Sequence, residues 1–402
     1  MVAILKETYH RLLTDVETTH HRYLFDSIHF NNRLTGIVGP RGVGKTTLML
    51  QCMKEKLASA KNLFYVSADN LYFSSNTLLE LVNHLYQTEG VDHFFIDEIH
   101  KYANWNQELK NIYDSYPKVK IVFSGSSSLD LIKGSYDLSR RAKLFRLEGL
   151  SFREYLHFTT GVLHPAISIE ELMAETAELS ATLSQIPRLK GRFNEYCARG
   201  YYPFVFEDEE SFHEKLLNIV DKSIYEDIAK FYNLKTQNLL YFSKILNFFS
   251  SIPPGEVSIN NIAKSLQIDH KTTEHYLHIL SEVGLVRFIY PPDGGSRGLQ
   301  KPAKIFIHNT TLLNALNLAL GEPLSIGNIR ELFFLQSVKN AQVPVFYSSI
   351  GDYTIGKHHF EIGGKNKTKK QIHDQANAYL VKDEILHASK GVIPLYLFGF
   401  LY

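Results

Sequence analysis

Short apolar runs recur through the first part of the chain, at 34–38, 63–67, 93–97, 120–124 and 143–147. Between them, 47–58, 76–89 and 106–116 repeat apolar positions at helical spacing. Strand-length runs that do not alternate, separated by helices, predict a parallel sheet covered by helices on both faces. A further short helix is expected after 124–128. From 149 to about 235 the periodicity is helical throughout. A helix at 257–266, a turn at 267–269 and a second helix at 270–284 come next. Strands at 285–290 and 304–308 follow, with a Pro/Gly-rich turn at 291–298 between them, and the set reads as a winged helix. Beyond it a helix opens at Asn328, a short hairpin follows Asp352, and 375–379 reads as a later helix. The expected organisation is α/β: a core over 1–148, a helical lid over 149–235, a winged helix over 236–320 and an α/β domain over 321–402.

The turn after the first run carries chemistry. Gly39-Pro-Arg-Gly-Val-Gly44-Lys45-Thr46 fits the GxxxxGK[ST] P-loop pattern, in a strand–loop–helix frame. Gly39, Gly42 and Gly44 allow the tight turn that aims backbone N–H groups at phosphate oxygens. Lys45 brings a point charge to the β- and γ-phosphates, and the Thr46 hydroxyl can ligate Mg²⁺. The following helix adds its N-terminal partial charge. The loop from Gly39 through Pro40, Arg41, Gly42, Val43, Gly44, Lys45 and Thr46 to Thr47 is therefore the expected ATP cradle.

The run at 93–97 ends in Asp97-Glu98. An Asp there can hold the Mg²⁺ shell, and the adjacent Glu can polarise a water aimed at the γ-phosphate. A strand–helix pair separates this run from the P-loop helix, which favours ATPases with an extra central strand over kinases and GTPases. The fourth run ends in Ser124-Gly-Ser-Ser-Ser, so Ser124, with Ser126 behind it, is the candidate γ-phosphate sensor. Arg140-Arg141 precedes the fifth run, and Arg141 is a candidate arginine finger reaching a neighbouring subunit's nucleotide. Paired arginines also serve as ordinary ion-pair partners, and both readings stand.

Composition narrows the picture little. The chain has 402 residues, 43 Lys+Arg against 42 Asp+Glu and a net charge of +1, so bulk charge gives no drive toward nucleic acid. No apolar run has transmembrane length and no leader precedes the first element, which leads to the expectation of a cytoplasmic protein off the membrane. Cys52 and Cys197 lie far apart without metal-ligand spacing, as expected of reduced thiols.

The later segments offer weaker constellations. Arg199-Gly200-Tyr201-Tyr202-Pro203 breaks a helical stretch and either ends a helix or turns aromatic side chains toward an adenine edge. The second helix of the winged helix offers Lys271, Thr272, Thr273 and histidines for phosphate contacts, yet also Glu274 and Glu282. Glu331, Asp352 and Glu361 resemble the carboxylates that restriction-type nucleases gather around Mg²⁺. The E-x-K spacing is broken, because Gly363 stands where Lys belongs and Lys365 comes two residues late. The run 365–370 is basic and either touches phosphates or is a solvated loop.

Taken together, the chain resembles prokaryotic AAA+-type ATPases related to the archaeal ATPases and STAND NTPases, which carry a lid, a winged helix and a C-terminal restriction-endonuclease-like domain. The likeness rests on the P-loop, Asp97-Glu98 with Trp105 following, Ser124-Gly-Ser-Ser, Leu150-Ser-Phe-Arg-Glu154, Gly200-Tyr-Tyr-Pro203, Lys304-Ile-Phe-Ile-His308, Arg330-Glu-Leu-Phe-Phe334 and Phe360-Glu-Ile-Gly-Gly-Lys-Asn-Lys. It implies that Gly200 and Pro203 border the adenosine. The expected function is an Mg-dependent ATPase acting as a switch or motor on DNA or a protein partner, with a homo-oligomer as one setting. The alternative is an ATP-gated, metal-dependent DNA nuclease.

Overall fold

A computed structural model describes residues 2–58, 62–125, 138, 140–252, 259–292, 301–368, 370, 372, 375 and 377–402. Ser126, the short helix expected after it and most of the 291–298 turn lie outside the described residues. The chain divides into two compact units, Met1–Gly149 and Leu150–Tyr402.

In the first unit, helix α1 (Val2–Asp15) precedes strand β1 (Leu34–Val38) and helix α2 (Lys45–Gln51). Strand β2 (Leu63–Ser67), helix α3 (Leu78–Glu89), strand β3 (His93–Asp97), helix α4 (Trp105–Ser115), strand β4 (Lys120–Gly125) and strand β5 (Ala142–Arg146) follow. The strands form one parallel sheet in the order β2-β3-β4-β1-β5. Every residue of β1 is buried, as expected of a central parallel strand. Phe94, Phe95, Ile121 and Phe123 from β3 and β4 fill the core with it. Because β4 lies between β1 and β3, the P-loop, Ser124 and Asp97 leave the sheet at neighbouring strand ends.

The helix after the P-loop departs from expectation. Regular α geometry stops at Gln51, and Cys52–Lys56 is π-helical. Side chains here reach carbonyls of the segment that joins α1 to β1: Gln51 donates to Glu17 and His20 at 2.8 and 2.9 Å, and Lys54 to Thr14 and Val16 at 2.9 Å. Lys56 donates to Ile28 at 3.1 Å. Backbone groups of an irregular segment are satisfied in this way.

The second unit begins with helices from Phe152–Thr160 to Thr236–Ser251. Helices Ile259–Leu266 and His270–Glu282 then precede an antiparallel pair, β6 (Val286–Ile289) and β7 (Lys304–Ile307), and helix Thr310–Leu320. Helix Ile326–Asn340 leads into a mixed sheet of β8 (Phe346–Tyr347), β9 (Tyr353–Ile355), β10 (His358–Gly363), β11 (Ala378–Lys382) and β12 (Val392–Pro394). The sheet is antiparallel through β8, β9 and β10 and parallel from β10 to β12. The helix expected at 375–379 is not formed at its C-terminal end, where Ala378 and Tyr379 open β11. Leu380 and Val381 are buried beside β10, and that burial decides for extended backbone. Among the described residues, no helix is long and apolar enough to cross a membrane.

Candidate nucleotide-binding site

The loop between β1 and α2 is built on glycines that no other residue could replace without strain. Gly42 and Gly44 have φ of 79° and 91°. Gly39 is restricted by space instead: a Cβ there would lie 2.0 Å from the Leu147 carbonyl oxygen. Lys45 is 5 % exposed and its ammonium donates to the Gly39 and Pro40 carbonyls at 3.0 and 2.8 Å, so the charge lies across the loop itself. The Val43 carbonyl accepts from the buried Arg22 guanidinium, which also donates to the Glu148 carbonyl at 2.6 Å.

Asp97, at the end of β3, is the hub. Its Oδ2 accepts from the Thr46 hydroxyl at 2.5 Å and from the Tyr65 hydroxyl at 2.9 Å. Its Oδ1 accepts from the Ser124 hydroxyl and from the Glu98 N–H at 3.1 Å. The Ser124 Oγ in turn accepts the same Glu98 N–H at 2.9 Å. All these side-chain donors are neutral hydroxyls, and the carboxylate they surround is 3 % exposed. A hydroxyl and a carboxylate oxygen 2.5 Å apart, next to a phosphate cradle, fit the hard-oxygen shell that Mg²⁺ takes with one carboxylate and substrate phosphates. Among the described residues no group of three or more His, Cys, Asp or Glu side chains could hold a metal.

Glu98 stands just past the strand end with φ of 50°, a left-handed backbone that a non-glycine residue rarely adopts. His100 Nε2 lies 3.3 Å from Glu98 Oε2, on a ring that is almost fully buried. Lys45, Thr46, Asp97, Glu98 and Ser124 thus meet in one site. Tyr65, Arg22 and His100 complete it and were not expected. For Tyr65 a signal existed: it lies two residues before the end of β2, on the face that Asp97 occupies on β3.

The other expected residues are engaged elsewhere. Arg141 lies 3.4 Å from the Asp114 carboxylate and over the Tyr113 ring, which already carries Arg33 at 3.9 Å. In the second unit, Gly200 follows helix Leu189–Arg199 with ordinary φ of −83°. Its lack of a side chain answers crowding, since a Cβ would lie 2.7 Å from the Tyr196 Cα. Pro203 opens a short 3₁₀ turn. Tyr201 and Tyr202 are buried within this unit, their hydroxyls accepting from Asn340 at 3.1 Å and Asn309 at 3.0 Å.

Around the C-terminal carboxylates, lysines take the central places. The Lys304 ammonium, from β7, lies 2.9 Å from Glu331 and 3.3 Å from Asp352. Glu331 also accepts from the Tyr353 hydroxyl at 2.5 Å. Burial opposes the Lys304 charge, but the two carboxylates outweigh it and raise the ammonium's pKa. Glu361 pairs with Lys367 at 2.5 Å, while burial lifts its carboxyl above the usual range. The Lys365 carbonyl accepts from Lys382 at 2.9 Å. A Cβ on Gly363 would meet the Lys367 stem at 2.5 Å, so the glycine makes room for that lysine.

Residues 31–156 match a family model described as an AAA domain, and residues 190–324 match a domain of unknown function, DUF8612. The uncharacterized protein MJ1637 of Methanocaldococcus jannaschii is 28% identical over 284 residues, covering 67% of this chain and 59% of the relative. The chain therefore spans about three-fifths of the length of that relative. Among solved structures, a DNA replication initiation factor aligns at 18% identity over 64% of this chain and 85% of that one, with a TM-score of 0.28. AMPPCP-bound DnaA from Aquifex aeolicus aligns at 16% identity with the same coverage of each chain and a TM-score of 0.26. Similarity that loose has no bearing on the site.

Proposed function

From the AAA domain at residues 31–156, we propose that the chain is an Mg-dependent ATPase that uses nucleotide turnover to switch its second unit between partner-binding states. The observation that carries this reading is the Thr46–Asp97 hydrogen bond beside the Lys45 cradle. The loop and Lys45 would hold the phosphates, and Thr46 and Asp97 would hold Mg²⁺, which screens phosphate charge when bound. Glu98 would orient and deprotonate the attacking water. Ser124, bonded to both Asp97 and the Glu98 backbone, would report the state of the γ-phosphate to that pair. Arg141 would act as a finger only by leaving Asp114, which an adjoining subunit's nucleotide could prompt. Gly200 and Pro203 are proposed to border the adenosine through backbone, since the neighbouring tyrosines are committed to the second unit's core.

The elements from Thr236 to Leu320 are proposed to be a winged helix. Two of its cations are engaged internally: Arg287 donates to the His308 carbonyl and to Asn340 at 2.7 Å, and Lys304 binds two carboxylates. That commitment favours a protein partner over DNA. The nuclease alternative is disfavoured for a related reason, because Lys304 already stands between Glu331 and Asp352 where a metal would have to sit.

Phosphate release from ATP, with and without single- and double-stranded DNA at two salt concentrations, tests the reading. Hydrolysis indifferent to DNA is expected, whereas salt-sensitive stimulation by DNA would make nucleic acid the partner. Lys45→Ala should weaken ATP binding by about 100-fold or more, as loss of a charged hydrogen-bond partner to phosphate implies. Glu98→Gln should bind ATP normally and hydrolyse it at least ~100-fold more slowly. Wild-type turnover by Glu98→Gln would remove that residue from the mechanism.

A further inference from the structure

We infer that Tyr65 is a positioning residue for the cation, fixing the Asp97 carboxylate so that Thr46 and Asp97 meet Mg²⁺ with the nucleotide. This rests on the ATPase reading above and adds to it a residue outside the P-loop and the Asp97-Glu98 pair. Tyr65 belongs to β2, where Ser67 is the register partner of Asp97 and Tyr65 of Phe95. It therefore shares a face with Asp97 and lies diagonally across the ladder, within reach of a long side chain. Its ring is 5 % exposed and its hydroxyl donates to Asp97 Oδ2 at 2.9 Å, the same oxygen that Thr46 contacts at 2.5 Å.

The consequence is a division of labour on one carboxylate. Ser124 and the Glu98 N–H hold Oδ1, and Tyr65 holds Oδ2 from the sheet side. A Thr46 oxygen that ligates a cation through a lone pair keeps its O–H for Oδ2, and Tyr65 is the second side-chain donor on that oxygen. Without it Oδ2 loses its donor from the sheet side, the carboxylate is less firmly fixed, and ordering it would oppose cation binding.

Tyr65→Phe keeps the ring and removes only the donor. The test titrates Mg²⁺ into full-length protein with a fluorescent ADP analogue and reads nucleotide affinity, with parallel titrations in EDTA. The half-saturating Mg²⁺ should rise about tenfold, as expected for losing a hydrogen bond to a charged group, while affinity in EDTA stays at the wild-type value. Superimposable Mg²⁺ curves would overturn the inference. So would an equal loss of affinity with and without Mg²⁺, which would mark a merely structural tyrosine. If the wild-type protein fails to bind the analogue under any condition, the ATPase reading itself falls, and the inference with it.

Discussion

Carboxylates in the two units, buried or half-buried, show how the same residue type is kept open or closed to a cation. At the P-loop, Asp97 is surrounded by the hydroxyls of Thr46, Tyr65 and Ser124 and by a backbone N–H. Those donors orient the carboxylate and carry no charge themselves, which on the proposed function leaves the neutralising role to a metal held with its nucleotide. In the second unit, Glu331 and Asp352 share the Lys304 ammonium, and Glu361 has that of Lys367. There the neutralising charge is part of the chain. Number and burial of the carboxylates are therefore poor guides to a metal site, and the charge of their hydrogen-bond donors decides.

Breaking the second group should have the largest effect on stability. Lys304→Met strands two half-buried carboxylates and should cost the second unit about 2–4 kcal/mol in denaturant unfolding. The sign of its pH response follows from Glu331, whose carboxyl is raised by burial against the opposing pull of Lys304. With Lys304 gone the folded-state pKa rises further, so the folded state binds the proton more readily than the unfolded one. The variant should therefore regain stability as pH falls through that raised value. A flat pH response would show that the carboxylates had found other partners.

At the first site, Gly39→Ala forces a Cβ against the Leu147 carbonyl and should cost about 1–3 kcal/mol together with nucleotide binding. Unchanged binding would mean that the loop tolerates displacement from β5. Lys367→Met should have the smallest effect, about 1 kcal/mol, because Lys367 is 37% exposed and the Lys304 charge still acts on the buried Glu361. A loss as large as that of Lys304→Met would erase the distinction between the two lysines.

Much of the first unit was legible in the sequence because its signals are local. Strand-length apolar runs, a glycine pattern and a strand-ending acidic pair all act within a few residues, whereas the sheet order β2-β3-β4-β1-β5 is not the chain order and depends on non-local pairing. What escaped depends on contacts between distant segments. Arg22 binds carbonyls of Val43 and Glu148, and Tyr65 reaches Asp97 across two strands. The π-helical turn at Cys52–Lys56 accompanies hydrogen bonds to a segment with no periodicity of its own. In the second unit, the broken E-x-K spacing was visible at Gly363 and Lys365, but the replacement of one lysine by another from four residues downstream was not. The strand at Ala378–Lys382 was missed because short apolar runs suit helix and strand alike until the neighbouring strand is known.

The most direct test of the contrast is the binding of Mn²⁺, as a spectroscopic stand-in for Mg²⁺, to the full-length protein followed by electron paramagnetic resonance with and without ADP. The account predicts one tightly bound equivalent that requires nucleotide and disappears in Lys45→Ala. An equivalent that remains without nucleotide and is lost in Glu361→Gln would contradict it, and would make the lysine-filled carboxylates of the second unit a metal site after all.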